Sequence, residues 1–245
     1  MKEKSAWKRG EQRAQESISC LELAGHDLRC GPLLDLGCGA GYLTGYFLKF
    51  GIEVVGVGRA KVHVKFAKNN VKAGDFVLAD GAMTPFKTRS FNTVILNDVL
   101  EHVPDQLAKP LLHEIKRILR IDGKLYISVA NKLQVFEPHT QIPFLTWFPK
   151  PCWNALHKLY RKEPLYYQDT LNPYTIQKLT KLCQQTSFTY KDYTWLYTYN
   201  KLSNTQNIKN PLLRKIAKTI KTLKLSKITY YIAQRLSVII FVCEP

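Results

Sequence analysis

The 245-residue chain predicts an α/β fold, a doubly wound and mostly parallel sheet, and three observations carry that reading. Short apolar runs alternate with helix-period segments up to about residue 130. The intervening helices have the length that a parallel crossover needs. Three glycines at alternate positions follow the first apolar run, where such sheets bind ligands.

The runs Pro32 to Leu36, Glu53 to Val57, Phe76 to Ala79, Phe91 to Leu96 and Lys124 to Val129 read as buried strands. Helices are expected at Tyr42 to Phe50, Lys61 to Val71 and Leu107 to Leu119, with Asp122-Gly123 turning the chain into the fifth strand. One or two helices, anchored by Trp7, Ile18, Leu21 and Leu23, precede this core in residues 1–30. Past Asn131, residues 131–173 are rich in Pro, Phe, Trp and Tyr, as expected of an insertion packed over the strand ends. A helix opening at Asn172-Pro173 and strands within Phe188 to Tyr199 and Leu236 to Val242 complete a single domain over residues 1–245. The cofactor-binding core is placed at 31–131 and the acceptor-covering elements at 132–245.

Composition narrows the partners. The formal net charge is +17, and residues 142–245 carry 16 Lys/Arg against 4 Asp/Glu. That bias points to an anionic partner (nucleic acid, an acidic membrane surface or a phosphorylated substrate) or to a solvated lysine-rich surface. Pro211 to Arg235 reads as a basic amphipathic helix, either lying on an anionic surface or docked by its apolar stripe. The charged N-terminus and the lack of a long apolar run argue against export or a membrane span. Six cysteines without C-x-x-C spacing fit reduced thiols, so a cytoplasmic placement is expected, with peripheral contact to an anionic membrane as a further expectation.

The segment Leu33-Leu34-Asp35-Leu36-Gly37-Cys38-Gly39-Ala40-Gly41 places an acid ahead of three glycines. Glycine permits a sharp turn and close approach to a ligand. The acid would repel a phosphate but suits a ligand bearing an ammonium and a sulfonium. With its continuation through residues 31–131, this segment resembles the first motif of class I S-adenosylmethionine-dependent methyltransferases of the small-molecule branch. The resemblance implies a Rossmann-like methyltransferase fold. It also implies contacts to the methionine part of the cofactor from Asp35, Gly37, Gly39 and Gly41, to adenine from Asp80 beside Gly81, and to the cofactor from Asn97.

One departure concerns Val57-Gly58-Arg59, where the family usually ends its second strand in a ribose-binding acid; Gly58 has no side chain for that bond. Either another group substitutes or the protein has diverged from catalysis.

Asp98, Glu101 and His102, spaced i, i+3, i+4, would share one face of a helix and could hold a divalent cation. They resemble the E-x-x-E-H segment of quinone-pathway O-methyltransferases. Hydrogen bonding at a helix start and a general-base role for His102 are the alternatives. Glu137 and His139, just after the fifth strand, could deprotonate a hydroxyl or could cap their own loop. The expected function is methylation of an oxygen on a hydrophobic or aromatic small molecule, lipid-borne acceptors included. An RNA methyltransferase and a non-catalytic binding protein are the alternatives.

Overall fold

The computed structural model describes residues 2–135, 137, 140, 142–161, 171–196 and 238–245. Helices α1 (Lys2–Leu23), α2 (Tyr42–Lys49), α3 (Lys61–Asn70), α4 (Asp105–Ile118), α5 (Lys150–Arg161) and α6 (Ile176–Gln185) surround seven strands. The strands are β1 (Leu33–Leu36), β2 (Val54–Gly58), β3 (Asp75–Leu78), β4 (Phe91–Asn97), β5 (Leu119–Val129), β6 (Thr189–Asp192) and β7 (Ile239–Glu244). They form one sheet in the order β3-β2-β1-β4-β5-β7-β6. The first five run parallel, and β7 lies antiparallel between β5 and β6.

Side-chain alternation divides the sheet between two apolar layers. Leu34, Leu36, Val94, Leu96, Leu125 and Ile127 pack with α4 and α6 on one face. Leu33, Val54, Ile95, Tyr126, Ile240 and Val242 meet α1 and α2 on the other. Burial on both faces explains why the parallel strands read as continuous apolar runs.

One expectation narrows and two change. The N-terminal segment is a single 22-residue helix. The fifth strand begins at Leu119, so Asp122-Gly123 lies inside it. There Phe91 pairs Leu119 while Thr93 pairs Lys124, so the turn signal marks an irregularity that takes up extra residues on β5. Third, only Thr189–Asp192 of the expected strand at Phe188 to Tyr199 is a strand among the described residues. The expected antiparallel pair is present as β6 and β7. The basic helix expected at Pro211 to Arg235 lies outside the described residues. No helix among the described residues is long and apolar enough to cross a membrane.

Candidate functional site

Order reverses between β1, which continues through β2 to β3, and β4, which continues to β5. Loops diverge from the carboxyl ends at that switch and leave a crevice. Its walls are Gly37 after β1, Arg59 after β2, Asp80 to Ala82 after β3, and Val99, His102 and Pro104 after β4.

The first loop depends on glycine. Gly37, Gly39 and Gly41 have φ of 89°, 51° and 79°. A Cβ at Gly37 would come within 2.3 Å of Val99 Cγ2, whereas one at Gly39 would meet only Gly37 O, at 4.0 Å. Gly37 is therefore demanded by the protein's own packing, and Gly39 keeps a space beside the loop clear. The N–H groups of Gly37 and Cys38 both donate to Val57 O, at 2.8 and 2.9 Å, tying the loop to β2.

Asp35 is buried, and its Oδ2 accepts a 2.6 Å hydrogen bond from Thr44 Oγ1. Burial pushes its pKa up to about 6 despite that bond. The side chain joins β1 to α2 and does not line the crevice wall. Asp80 is exposed there and accepts from Ala82 N at 2.9 Å, which leaves carboxylate lone pairs for a further donor.

At the end of β2 the missing acid has a packing reason. A Cβ on Gly58 would sit 2.8 Å from Val64 Cγ2 of α3 and 3.6 Å from Cys38 Sγ. The neighbouring Arg59 lines the crevice instead. Gly58→Asp is accordingly expected to lower stability by about 1–3 kcal/mol through overpacking. Chemical denaturation checks this, and Val64→Ala in the same chain should recover most of the loss.

The trio after β4 does not share a helical face. Asp98 has a left-handed φ of 54°, and only a 3-10 turn, Leu100–His102, follows. Asp98 Oδ2 is ion-paired with Arg13 Nη2 of α1 at 2.8 Å, and its Oδ1 accepts from Ser128 Oγ at 3.2 Å. Glu101 is buried, its Oε1 accepting from Ala130 N at 3.2 Å. Burial, then the charge of Asp98, pushes its pKa up to about 8, which favours the protonated form. His102 is exposed on the crevice wall. The expected metal set of Asp98, Glu101 and His102 is thus dispersed, and no metal-holding cluster occurs among the described residues.

Of the other candidates, Glu137 is buried, with Oε2 accepting from Thr140 N at 2.5 Å, and it does not line the crevice. His139 lies outside the described residues. Asn97 donates from Nδ2 to Asp98 Oδ2 at 3.3 Å, while its buried Oδ1 has no hydrogen-bond partner among the described residues. Arg13 and Arg59 were not singled out from sequence. Arg13 reaches Asp98 across 85 positions, a pairing without a local signature, whereas Arg59 was marked by its place directly after the second strand.

The fold is a Rossmann-like one with a crevice at the strand-order switch. Residues 34–127 match the family model described as "Methyltransferase domain". The ubiquinone biosynthesis O-methyltransferase of Xanthomonas oryzae pv. oryzae is 32% identical over 111 residues, covering 43% of this chain and 46% of that protein. The chain thus spans less than half the length of this curated relative. A SAM-dependent methyltransferase from Archaeoglobus fulgidus superposes with TM-score 0.58 at 14% identity, covering 98% of this chain and 94% of that one. Phosphoethanolamine N-methyltransferase 2 of Haemonchus contortus, solved with S-adenosyl-L-methionine, gives TM-score 0.54 at 17% identity, covering 94% of this chain and 51% of that one. These two likenesses concern the fold alone. Residues 34–127 thus carry the likeness to a methyltransferase domain, on a fold shared with solved S-adenosylmethionine-dependent methyltransferases.

Proposed function

We propose that the protein, as one domain, transfers the methyl group of S-adenosylmethionine to an oxygen of a hydrophobic or aromatic small molecule. The observation that carries the reading is the crevice at the strand-order switch, where a glycine loop, Asp80 and His102 face one space. The residues fit the cofactor. Gly39 leaves room beside the loop, Asn97 Oδ1 is a buried acceptor suited to an ammonium, and Asp80 offers an acceptor to an adenine amino group. Gly81 continues that wall. When bound, the cofactor supplies an activated methyl group on a sulfonium.

The protein's work is then alignment and proton removal. His102, exposed on the crevice wall, would take the acceptor's proton as the oxygen–carbon bond forms and the sulfur–methyl bond breaks. Likeness to a ubiquinone biosynthesis O-methyltransferase supports oxygen as the methylated atom.

Calorimetry with S-adenosylhomocysteine, followed by methyl-transfer assays on catechols and on RNA, tests the reading. Binding with transfer to a catechol supports it. Binding without transfer to either would favour the non-catalytic alternative that Gly58 raises, and transfer to RNA alone would favour an RNA methyltransferase. His102→Ala is expected to reduce turnover by about 10²–10⁴-fold while S-adenosylhomocysteine binding is retained. Because the acidic trio is dispersed, turnover should survive a chelator; its loss in chelator would overturn the metal-free account.

A further inference from the structure

We infer that the segment from Phe144 to Arg161 is a docking surface for an anionic lipid bilayer. The surface is distinct from the crevice and goes beyond the proposed reaction. In a water-soluble domain, large apolar side chains are exposed together only where something covers them. Phe144, Trp147 and Phe148 are 43%, 50% and 48% exposed within five residues, and Leu159 and Tyr160 reach 82% and 60% at the end of α5. Helix α5 buries only Trp153 and His157, so its contact with the rest of the protein is narrow.

Trp147 Nε1 donates to Gln134 O at 3.1 Å, and the Phe144 and Trp147 rings meet edge-on with centroids 5.0 Å apart. Phe144 sits at φ 58°, a left-handed conformation costly for an aromatic residue. Ile142, Leu145, Trp153 and Leu171 form one small buried apolar cluster that anchors the segment.

Charge selects the occupant. Residues 142–161 contain Lys150, Lys158 and Arg161 and no acid, within a chain of net charge +17. Aromatic side chains beside cations, with no acid among them, match the interface of an acidic bilayer, where rings sit at headgroup level and cations meet lipid phosphates. Lys158 is the exposed cation suited to test the charge, since Arg161 donates to Thr140 O at 2.7 Å and Lys150 to Asn172.

The test is co-sedimentation of the full chain with phosphatidylcholine vesicles, with and without about a third phosphatidylglycerol. Wild type should pellet with the anionic vesicles alone, less as salt rises. Trp147→Ser with Phe148→Ser should weaken binding by about tenfold or more, and Lys158→Glu by about fivefold. Trp147→Phe should retain binding but lose the quenching of tryptophan fluorescence by brominated lipid. Unchanged binding in the double serine variant would move the contact elsewhere and overturn the inference, as would binding to RNA without binding to vesicles. Calorimetry with S-adenosylhomocysteine reports on the crevice separately, so failure at the membrane and failure of the methyltransferase reading are told apart.

Discussion

Gly39→Arg is expected to abolish binding of S-adenosylhomocysteine, with affinity falling by more than about a hundredfold, while the protein stays folded. The Cβ of a residue at position 39 enters open space, so the substitution fills the region beside the loop rather than colliding with the protein. Its folding cost comes from φ of 51° and amounts to about 1–2 kcal/mol. Gly37→Ala makes the control. At φ 89°, with Val99 Cγ2 at 2.3 Å, it combines backbone strain with overpacking and should cost about 2–6 kcal/mol of stability. Calorimetry and denaturation together read both variants. Undiminished affinity in a folded Gly39→Arg protein would remove the glycine loop from the cofactor site.

The parallel core was legible because both faces of its strands are buried, which turns each of β1, β2, β4 and β5 into a continuous apolar run. The glycine loop was equally legible, since positive φ at Gly37, Gly39 and Gly41 leaves a residue-type mark. The trio after β4 was misread for a physical reason. Spacing of i, i+3, i+4 brings side chains together only if the backbone is helical throughout, and Asp98 is left-handed. Its partner, Arg13, comes from α1, a contact that a local window cannot contain. The absence at Gly58 was visible, but its cause was not: Val64 of α3 occupies the room a side chain would need. Asp35 illustrates the reverse case. Its position marked the motif correctly, yet the structure gives its carboxylate to Thr44 rather than to the crevice wall.

That placement of Asp35 makes its charge state a lever on both stability and ligand binding. Burial raises its folded pKa from 3.8 to about 6, so folding disfavours the ionised carboxylate. The sign follows from linkage: this group's contribution is most favourable below the unfolded pKa near 4 and is lost as pH rises through about 6. A shift of about two units corresponds to about 3 kcal/mol of penalty above that range. Asp35→Asn keeps an oxygen to accept the Thr44 hydroxyl but carries no charge to bury. Subtracting about 1 kcal/mol for an imperfectly paired amide, the variant should be about 1–2 kcal/mol more stable than wild type at pH 8. Near pH 4 that gain should vanish. Binding should move the opposite way, because a sulfonium and an ammonium held beside the glycine loop would favour the ionised carboxylate through space, without touching it. Wild-type affinity for S-adenosylmethionine is therefore expected to decline as pH falls through 6, and Asp35→Asn to show weaker affinity at pH 8 without that decline. Urea denaturation and calorimetry at pH 4.5, 6 and 8, all within about two units of the shifted pKa, check the two curves. A wild-type affinity flat across that range, or a variant less stable than wild type at pH 8, would show that Asp35 does not carry its charge against burial for the sake of a cationic ligand.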